Sequence, residues 1–514
     1  MKKQYLLPAM LSLGLGLSGC STNNSKSETA TTATGQPVDS ASGQLGSQAG
    51  PGVQPVPLPD PGIPGFVFPQ DSSTINGWVA AGNNTAISQH GWGIWTAITS
   101  LTSQSYGGAR LRVFETWHTK AEVNALTLES AAHPTQFKGQ LVRPLGTIKR
   151  ALDRPRQFNR DPKLRGRFDA LAAAHRVSDG ADTTVLEMVS YSPDAADTIV
   201  RKKLFLPATL QNMLNQGTPG ISGFSNRATA IKPMYEIVPA SKAGALYKMK
   251  TWTGSPPTPP KGGFYQSLWS SCIYVDPLNR VKPNKAQGNA PFSCTGPTAN
   301  NTYNLTDFIY YQLTADEAKA LNQAQHDTTQ HIARTGDYAI LVGMHIATEE
   351  INNWTWQTMW WTPNPDLVPD PSSAAVVAAR PKQLTGAPRH YAMSISYQMV
   401  NPAQPPVPKD GIYEGASVYT FNPYLEAPFS SQTFTLPAQL RTKGVVVNNN
   451  FGIRTNCMSC HMQASFGPSA TDPGYISDTY VARTMPRFNK RLRTAFLWSI
   501  PDVARDNTNA NAKK

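Results

Sequence analysis

"DYAILVGMHIATEEINNWTWQTMWW" (Asp337–Trp361) reads as strand at both of its ends. In "DYAILVGMHIA" (337–347) and "NWTWQTMWW" (353–361) β-branched and aromatic residues are dense, and some alternate with smaller or polar ones. Such side chains pack well on a pleated, half-buried surface, so both runs predict extended chain. With strand geometry Trp354, Trp356 and Trp360 share one face and Trp361 points the other way. Aromatics of this size predict a buried wall. The same signal recurs in "ATAIKPMYEIV" (228–238) and "ALYKMKTW" (245–252).

Helical signals are interspersed. "NGWVAAGNNTAISQHGWGIWTAITSL" (76–101) reads partly as helix, and "LTADEAKALNQAQ" (313–325) opens with a capping box, Thr314 and Glu317. The 43 prolines and 38 glycines require many loops. The fold class expected is α+β: a β-rich body with loops, followed by a short, mainly helical C-terminal segment. The chain has 514 residues, ample for a large core. Past the N-terminus no apolar run approaches a membrane span, and no fixed-period repeat is visible.

The formal charge is +13, from 46 Lys and Arg against 33 Asp and Glu. A basic balance suits nucleic acid, anionic lipid or an acidic protein partner. "RPLGTIKRALDRPRQFNRDPKLRGR" (Arg143–Arg167) is strongly basic, proline-containing and aperiodic. It predicts a solvated surface loop, or a docking patch. G-x-S-x-G, P-loop and H-E-x-x-H motifs are absent, so neither hydrolase nor nucleotide chemistry is indicated.

Five cysteines are present. Two stand in "RTNCMSCHMQ" (Arg454–Gln463), where Cys457, Cys460 and His461 occupy one helical turn. Cys-x-x-Cys-His is the attachment signature of c-type haem. Thiols three positions apart lie on one side of a helix and can add to both vinyl groups of one porphyrin. The adjacent imidazole can then bind the iron axially. A thioredoxin-like pair needs a strand-to-helix setting that "VVVNNNFGIR" does not clearly supply, and a zinc knuckle needs two more ligands. The cofactor expected is one covalent haem c, with His461 proximal.

Cys272 and Cys294 flank a Pro/Gly/Asn-rich loop. In an oxidising compartment a leftover pair of this kind usually forms a disulfide. That compartment is indicated by "MKKQYLLPAMLSLGLGLSGC" (1–20): two lysines, an apolar run and small residues make a secretory signal peptide. Leu17–Cys20 resembles the bacterial lipobox. The resemblance implies a signal peptide of residues 1–19 and a Cys20 that is diacylated and tethers the protein to a membrane. Ser21 after it suggests the outer membrane, facing the periplasm. Export argues against nucleic acid as partner. Residues 20–64, Ser/Thr/Gly-rich and then Pro-rich, hold almost no large apolar side chain and read as a flexible tether. The body is expected over 65–440, the haem segment over 441–505 and a disordered tail over 506–514.

Over "CMSCH" the chain is similar to c-type cytochromes generally. More broadly it resembles a group of large exported bacterial proteins with one C-terminal haem c motif, a Trp-rich block ("NWTWQTMWWTPNP") ahead of it and a closing aromatic segment ("FLWSIP"); "FETWHTKAEV" (114–123) fits the same group. No reaction is assigned to that group, so the resemblance implies architecture and cofactor rather than substrate. Cytochromes with a methionine on the iron place it in a loop before a closing helix, and the resemblance implies Met485, followed by Pro486, as the sixth ligand. The competing donors are His90, His118, His345 and His390; an open sixth position is the remaining option. His345, Glu349 and Glu350 in "HIATEE" form another possible metal set. Arg487, Lys490, Arg491 and Arg493 could be a solvated face, pair with the haem propionates, or guide an acidic redox partner. The function expected is a membrane-tethered electron carrier. The alternatives are a haem enzyme of peroxide or oxygen chemistry with an open distal site and a substrate pocket in the body, and a redox sensor or structural haem protein.

Overall fold

Eight strands build the central sheet: β1 (His118–Thr119), β2 (Leu186–Glu187), β3 (Ser190–Tyr191), β4 (Thr229–Val238), β5 (Tyr310–Gln312), β6 (Tyr338–Thr348), β7 (Thr355–Trp361) and β8 (Tyr391–Ser396). Their order in the computed structural model is β8-β7-β6-β4-β3-β1, with β5 beside β6 and β2 beside β4, and every pairing is antiparallel. The described residues are 52–134, 143–144, 148, 150–153, 185–240, 244–260, 262–282, 290–323, 333–402, 415–429, 431, 433–434, 451–468 and 475–511.

All four strand signals in the sequence become strands, since Tyr247–Thr251 pairs with Ser271–Asp276 in a second, three-stranded sheet. Strands β6 and β7 are almost wholly buried. A sheet covered on both faces needs apolar side chains on both. The helices include α1 (Ser72–Ala80), α2 (Asn84–Thr99), α3 (Lys120–Ala132), α4 (Pro193–Arg201), α5 (Ala315–Gln323), α6 (Cys457–Met462) and α7 (Ser499–Asn511), with Pro207–Asn215, Ala374–Ala378 and single 3-10 turns between them. Helix α5 begins at the expected box, Thr314 N–H donating to Glu317 at 2.9 Å and Glu317 N–H to Thr314 at 3.3 Å. The class is mixed α and β with a β-rich body. Among the described residues no helix is long and apolar enough to cross a membrane.

Helix α2 covers one face of the sheet, with Trp95 against Tyr391 at 5.0 Å between ring centroids. The opposite face carries Trp356, His345 and Lys232. The register puts His345 opposite Lys232 on β4 and Thr358 on β7, and Ala347 opposite Ala230 and Trp356. Strand β7 starts at Thr355, so Trp354 does not share the face expected of it. Its φ is +56° and its N–H closes a turn onto Ile351 at 2.8 Å. Burial of the indole against Phe224, at 5.7 Å, offsets the cost of that left-handed backbone.

One of the two large apolar cores joins α4, the Trp354/Trp356 end of the sheet, α6 and α7. Residues 49–514 accordingly form one compact unit. Other expectations are also revised. The Pro-rich end of the expected tether lies on the body: Gly52–Val53 pairs with Arg143–Pro144, Val53 and Leu58 are buried, and the Trp117 indole N–H donates to the Val56 carbonyl at 2.7 Å. An extended proline-rich chain can hydrogen-bond sideways and bury an occasional Val or Leu without forming an element of its own. The basic stretch is not wholly surface either. Arg143 is buried in a two-point contact with Glu122, at 3.0 and 3.1 Å. Arg150 is buried beside Glu317, over the rings of Tyr311 and Tyr106. At the other end, helix α7 continues to Asn511 rather than fraying from 506. Val503 and Ala504 are buried, and Asn507 donates to Asn124 at 2.9 Å and to the Phe205 carbonyl at 3.0 Å. Residues 1–51, Cys20 among them, and 154–184 lie outside the described residues.

Candidate functional site

Helix α6 is only one and a half turns long, and its position is fixed by its N-cap. The buried Asn456 side-chain oxygen accepts the Ser459 N–H at 2.9 Å. Its amide donates to Ser396 Oγ, the Gln398 carbonyl and the Val418 carbonyl, at 2.9, 3.1 and 2.7 Å. One asparagine therefore caps the helix and ties it to the end of β8. Cys457 and Cys460 are unbonded to each other. The Cys457 thiol donates to the Thr420 carbonyl at 3.4 Å, and the Cys460 thiol lies 3.5 Å from the Ile476 and Ser477 carbonyls. Burial, and then the Glu426 carboxylate, push both thiols far above the usual cysteine range.

His461 follows on the same turn. Its Nδ1 lies 2.8 Å from the Phe496 carbonyl. A carbonyl only accepts, so Nδ1 carries the proton and Nε2 keeps the lone pair. No partner for Nε2 exists among the described residues. Presenting that carbonyl takes backbone in the left-handed region, with φ +48° at Ala495 and +64° at Phe496. The imidazole rests on Trp356, ring centroids 4.3 Å apart. Burial drives its pKa down to about 3, with the Phe496 bond opposing and His345 and Lys232 adding to the fall. The ring is thus neutral, as a metal ligand must be.

Cys457, Cys460 and His461 all line a cavity of about 740 Å³, within the size range of ligand and cofactor sites. The sheet supplies Lys232, His345, Ala347 and Trp356 to its wall. Phe429, Leu425 and Leu497 give it apolar surface, and Arg487 and Arg491 basic surface. It runs on to Lys120, Arg150 and Glu317. Arg491 donates to the Ser465 hydroxyl and carbonyl, at 3.0 and 3.1 Å, and its Nη1 is buried without a hydrogen-bond partner among the described residues.

Met485 is the residue expected as sixth ligand. Met485 does not line the cavity; it precedes the turn Pro486–Phe488 and packs in the apolar core with Val481 and Phe488. His90 is held at both nitrogens, by Tyr397 at 2.6 Å and Glu350 at 3.2 Å. His118 is buried on β1, and His390 stacks on Trp361. Of the four competing histidines only His345 lines the cavity, its Nε2 3.0 Å from Glu426. The set His345, Glu349 and Glu350 is dispersed, because Glu350 joins His90 while His345 joins Glu426. Among the described residues no three His, Cys, Asp or Glu side chains gather around a metal position. Arg487 and Arg491 reach the cavity, whereas Lys490 and Arg493 do not. Cys272 and Cys294 lie at disulfide-bonding distance, joining the second sheet to its following loop.

Sequence reading missed Asn456 and Glu426. Asn456 carried a usable signal, an asparagine directly before a helical motif. Glu426 carried none, since its contact with His345 spans 81 residues. No family model, curated protein or solved structure matches the chain.

Proposed function

We propose that the protein is an exported, lipid-anchored c-type cytochrome that carries one covalent haem and transfers electrons at the periplasmic side of the outer membrane. The observation that carries this reading is the single turn Cys457–His461 on the cavity wall: two unpaired thiols on one side and an imidazole whose proton is committed to Phe496. The residues fit the group. Cys457 and Cys460 would hold its edge, His461 would bind through Nε2, and the unsatisfied Nη1 of Arg491 suits a propionate carboxylate. Bound there, haem supplies one-electron exchange at its iron. The chain's own part is to exclude water with the sheet, hold His461 neutral through Phe496 and brace it with Trp356. Anchorage at Cys20, and an acidic redox partner drawn to the basic C-terminal region, belong to the same proposal; Lys490, off the cavity, is free to serve that docking.

A haem enzyme is the second reading, favoured by one feature. The cavity continues past the attaching turn to Lys120, Arg150 and Glu317, which leaves scope for a substrate. The test of the main reading is direct. Protein from a strain with haem c maturation should retain its pigment on a denaturing gel and through acid–acetone extraction, and Cys457→Ala with Cys460→Ala should release it. Wild-type protein that loses its colour on extraction refutes covalent attachment. Reduced wild type that binds carbon monoxide readily moves the assignment to the enzyme.

A further inference from the structure

Resting on that reading, we propose that His345 is the second axial ligand of the haem iron, coordinating through Nδ1, and that Glu426 is its positioning residue. His461 and His345 are the two histidines among the described residues that line the cavity. The sheet register orders the donors near His461. Its ring lies on Trp356 of β7. His345 is one strand away and diagonal to Trp356 on the same face, Lys232 is two strands away, and Met188, beside β2 and β3, is three. Neighbouring strands are about 4.8 Å apart, so Met188 lies roughly 14 Å across the sheet from the strand that supports His461. Met188 also borders the small void next to Arg150 and Tyr311. Met485 does not reach the cavity at all.

The two nitrogens of His345 are divided as a ligand's are. Nε2 faces the Glu426 carboxylate at 3.0 Å; in the neutral ring a ligand requires, that nitrogen carries the proton and Nδ1 keeps its lone pair, with no hydrogen-bond partner among the described residues. A metal-binding histidine characteristically gives its other N–H to a carboxylate or carbonyl, which fixes the ring and raises its basicity. His461 does this with Phe496, and His345 with Glu426.

Glu426 is itself locked. Its second oxygen accepts the Asn422 N–H at 2.6 Å, and its own N–H donates to the Asn422 carbonyl at 2.9 Å. The Asn422 amide lies flat on the sheet, donating to Thr358 Oγ1 at 2.9 Å and to the Met359 carbonyl at 2.8 Å. Gly343 makes room for it, because a Cβ there would come within 2.8 Å of that amide. Gly452 closes the turn from the other side, where a Cβ would sit 1.6 Å from the Glu426 carbonyl oxygen. The segment leading into the haem turn thus presses directly on the residue that orients His345.

The experiment uses the full-length protein with its covalent haem and reads absorption and electron paramagnetic resonance spectra, carbon monoxide binding and reduction potential. Wild type should be low-spin, without the sulfur-to-iron band of methionine ligation, and inert to carbon monoxide. His345→Ala should lose the low-spin signal completely and bind carbon monoxide, and added imidazole should restore the low-spin state. His345→Met keeps the volume and should introduce the sulfur band, which guards against a variant that fails to fold. Glu426→Gln should stay low-spin with its potential shifted upward, because the ligand becomes less basic. Met485→Leu and Met188→Leu should leave every spectrum unchanged. A low-spin, carbon monoxide-inert His345→Ala overturns the assignment, as does a high-spin wild type. Absence of covalent haem in wild type is a separate result that refutes the function and not merely the ligand.

Discussion

The imidazole of His461 lies on the indole of Trp356, with ring centroids 4.3 Å apart and planes inclined by 40°. Trp356 is near the start of β7, the strand next to the sheet's edge, opposite Ala347 of β6 on one side and Ser396 of the edge strand β8 on the other. Ser396 is also a partner of Asn456, the cap of the cysteine helix. The functional turn is therefore braced twice by adjoining strands, once through its last polar residue and once through its cap.

Removing the first brace tests how far the turn depends on the sheet. Trp356→Ala deletes an indole that is 3 % exposed, and large-to-small changes of this kind cost about 3–5 kcal/mol. The urea midpoint should fall accordingly, while Trp356→Phe should recover much of the loss. In haem-loaded protein, Trp356→Ala should also broaden the spectroscopic signature of His461, because its ring loses its support. A midpoint shift below about 1 kcal/mol would mean that the cavity simply collapses onto the gap.

Arg143 provides a second test, remote from the site. Its guanidinium contacts both oxygens of Glu122 and donates to the Glu115 carbonyl at 2.8 Å. Breaking a buried pair from one side leaves an uncompensated charge, at about 3–5 kcal/mol. Arg143→Met should approach that loss. Adding Glu122→Gln, which keeps an acceptor for the Thr119 cap, should return part of it. A double variant as unstable as the sum of the two singles would show that the pair is not coupled.

Stability should depend on pH through buried groups of opposite sign, of which Glu236 and His118 lie away from the cysteine turn. Burial raises the Glu236 carboxyl to about 7, although hydrogen bonds from Gln266 and Tyr247 oppose the rise. The folded state holds that proton more tightly than the unfolded chain does. The Glu236 contribution is therefore complete below about 4.5 and is lost as pH climbs through about 7. At about 1.4 kcal/mol per unit, the loss is of the order of a few kcal/mol. His118 behaves in reverse. Burial, and then Arg143, lower it to about 3, so its contribution is present above 6.5 and is lost as pH falls toward 3. Denaturant midpoints across this range should show Glu236→Gln weakening the decline on the alkaline side, to which Glu349, raised by burial to about 8, also contributes, and His118→Asn weakening the decline on the acid side. Parallel profiles for all three proteins would rule this account out.

Local chemistry made part of this molecule legible. Dense β-branched and aromatic runs gave strands at 228–238, 337–347 and 353–361, because those side chains suit a sheet buried on both faces, and at 245–252, where burial alternates along the strand. The Thr314–Glu317 box marked its helix, since both of its hydrogen bonds are made within three residues. Met485 shows the limit. A methionine before a proline and an aromatic helix has the local look of a ligand, but Met485 is buried in an apolar core that gathers residues remote in sequence, off the cavity. Glu426 and the docked chain at 52–58 were invisible for the same reason, as each is positioned by residues remote in sequence. Trp354 was misread because a turn competing for its backbone outweighed the alternation pattern.

The sheltered sulfurs of Cys457 and Cys460 also impose an order of events. Thiolate is the reactive form of cysteine, and in the closed protein both thiols are held protonated against backbone carbonyls. Every strand of the central sheet precedes them along the chain. A polypeptide emerging from its N-terminal side therefore delivers the sheet side of the cavity wall before the cysteines, and the side holding Arg487, Arg491 and Leu497 after them. Any bond made at these sulfurs is made in a race with closure, and variants that hasten folding of the sheet should yield a larger share of molecules sealed with their thiols unreacted.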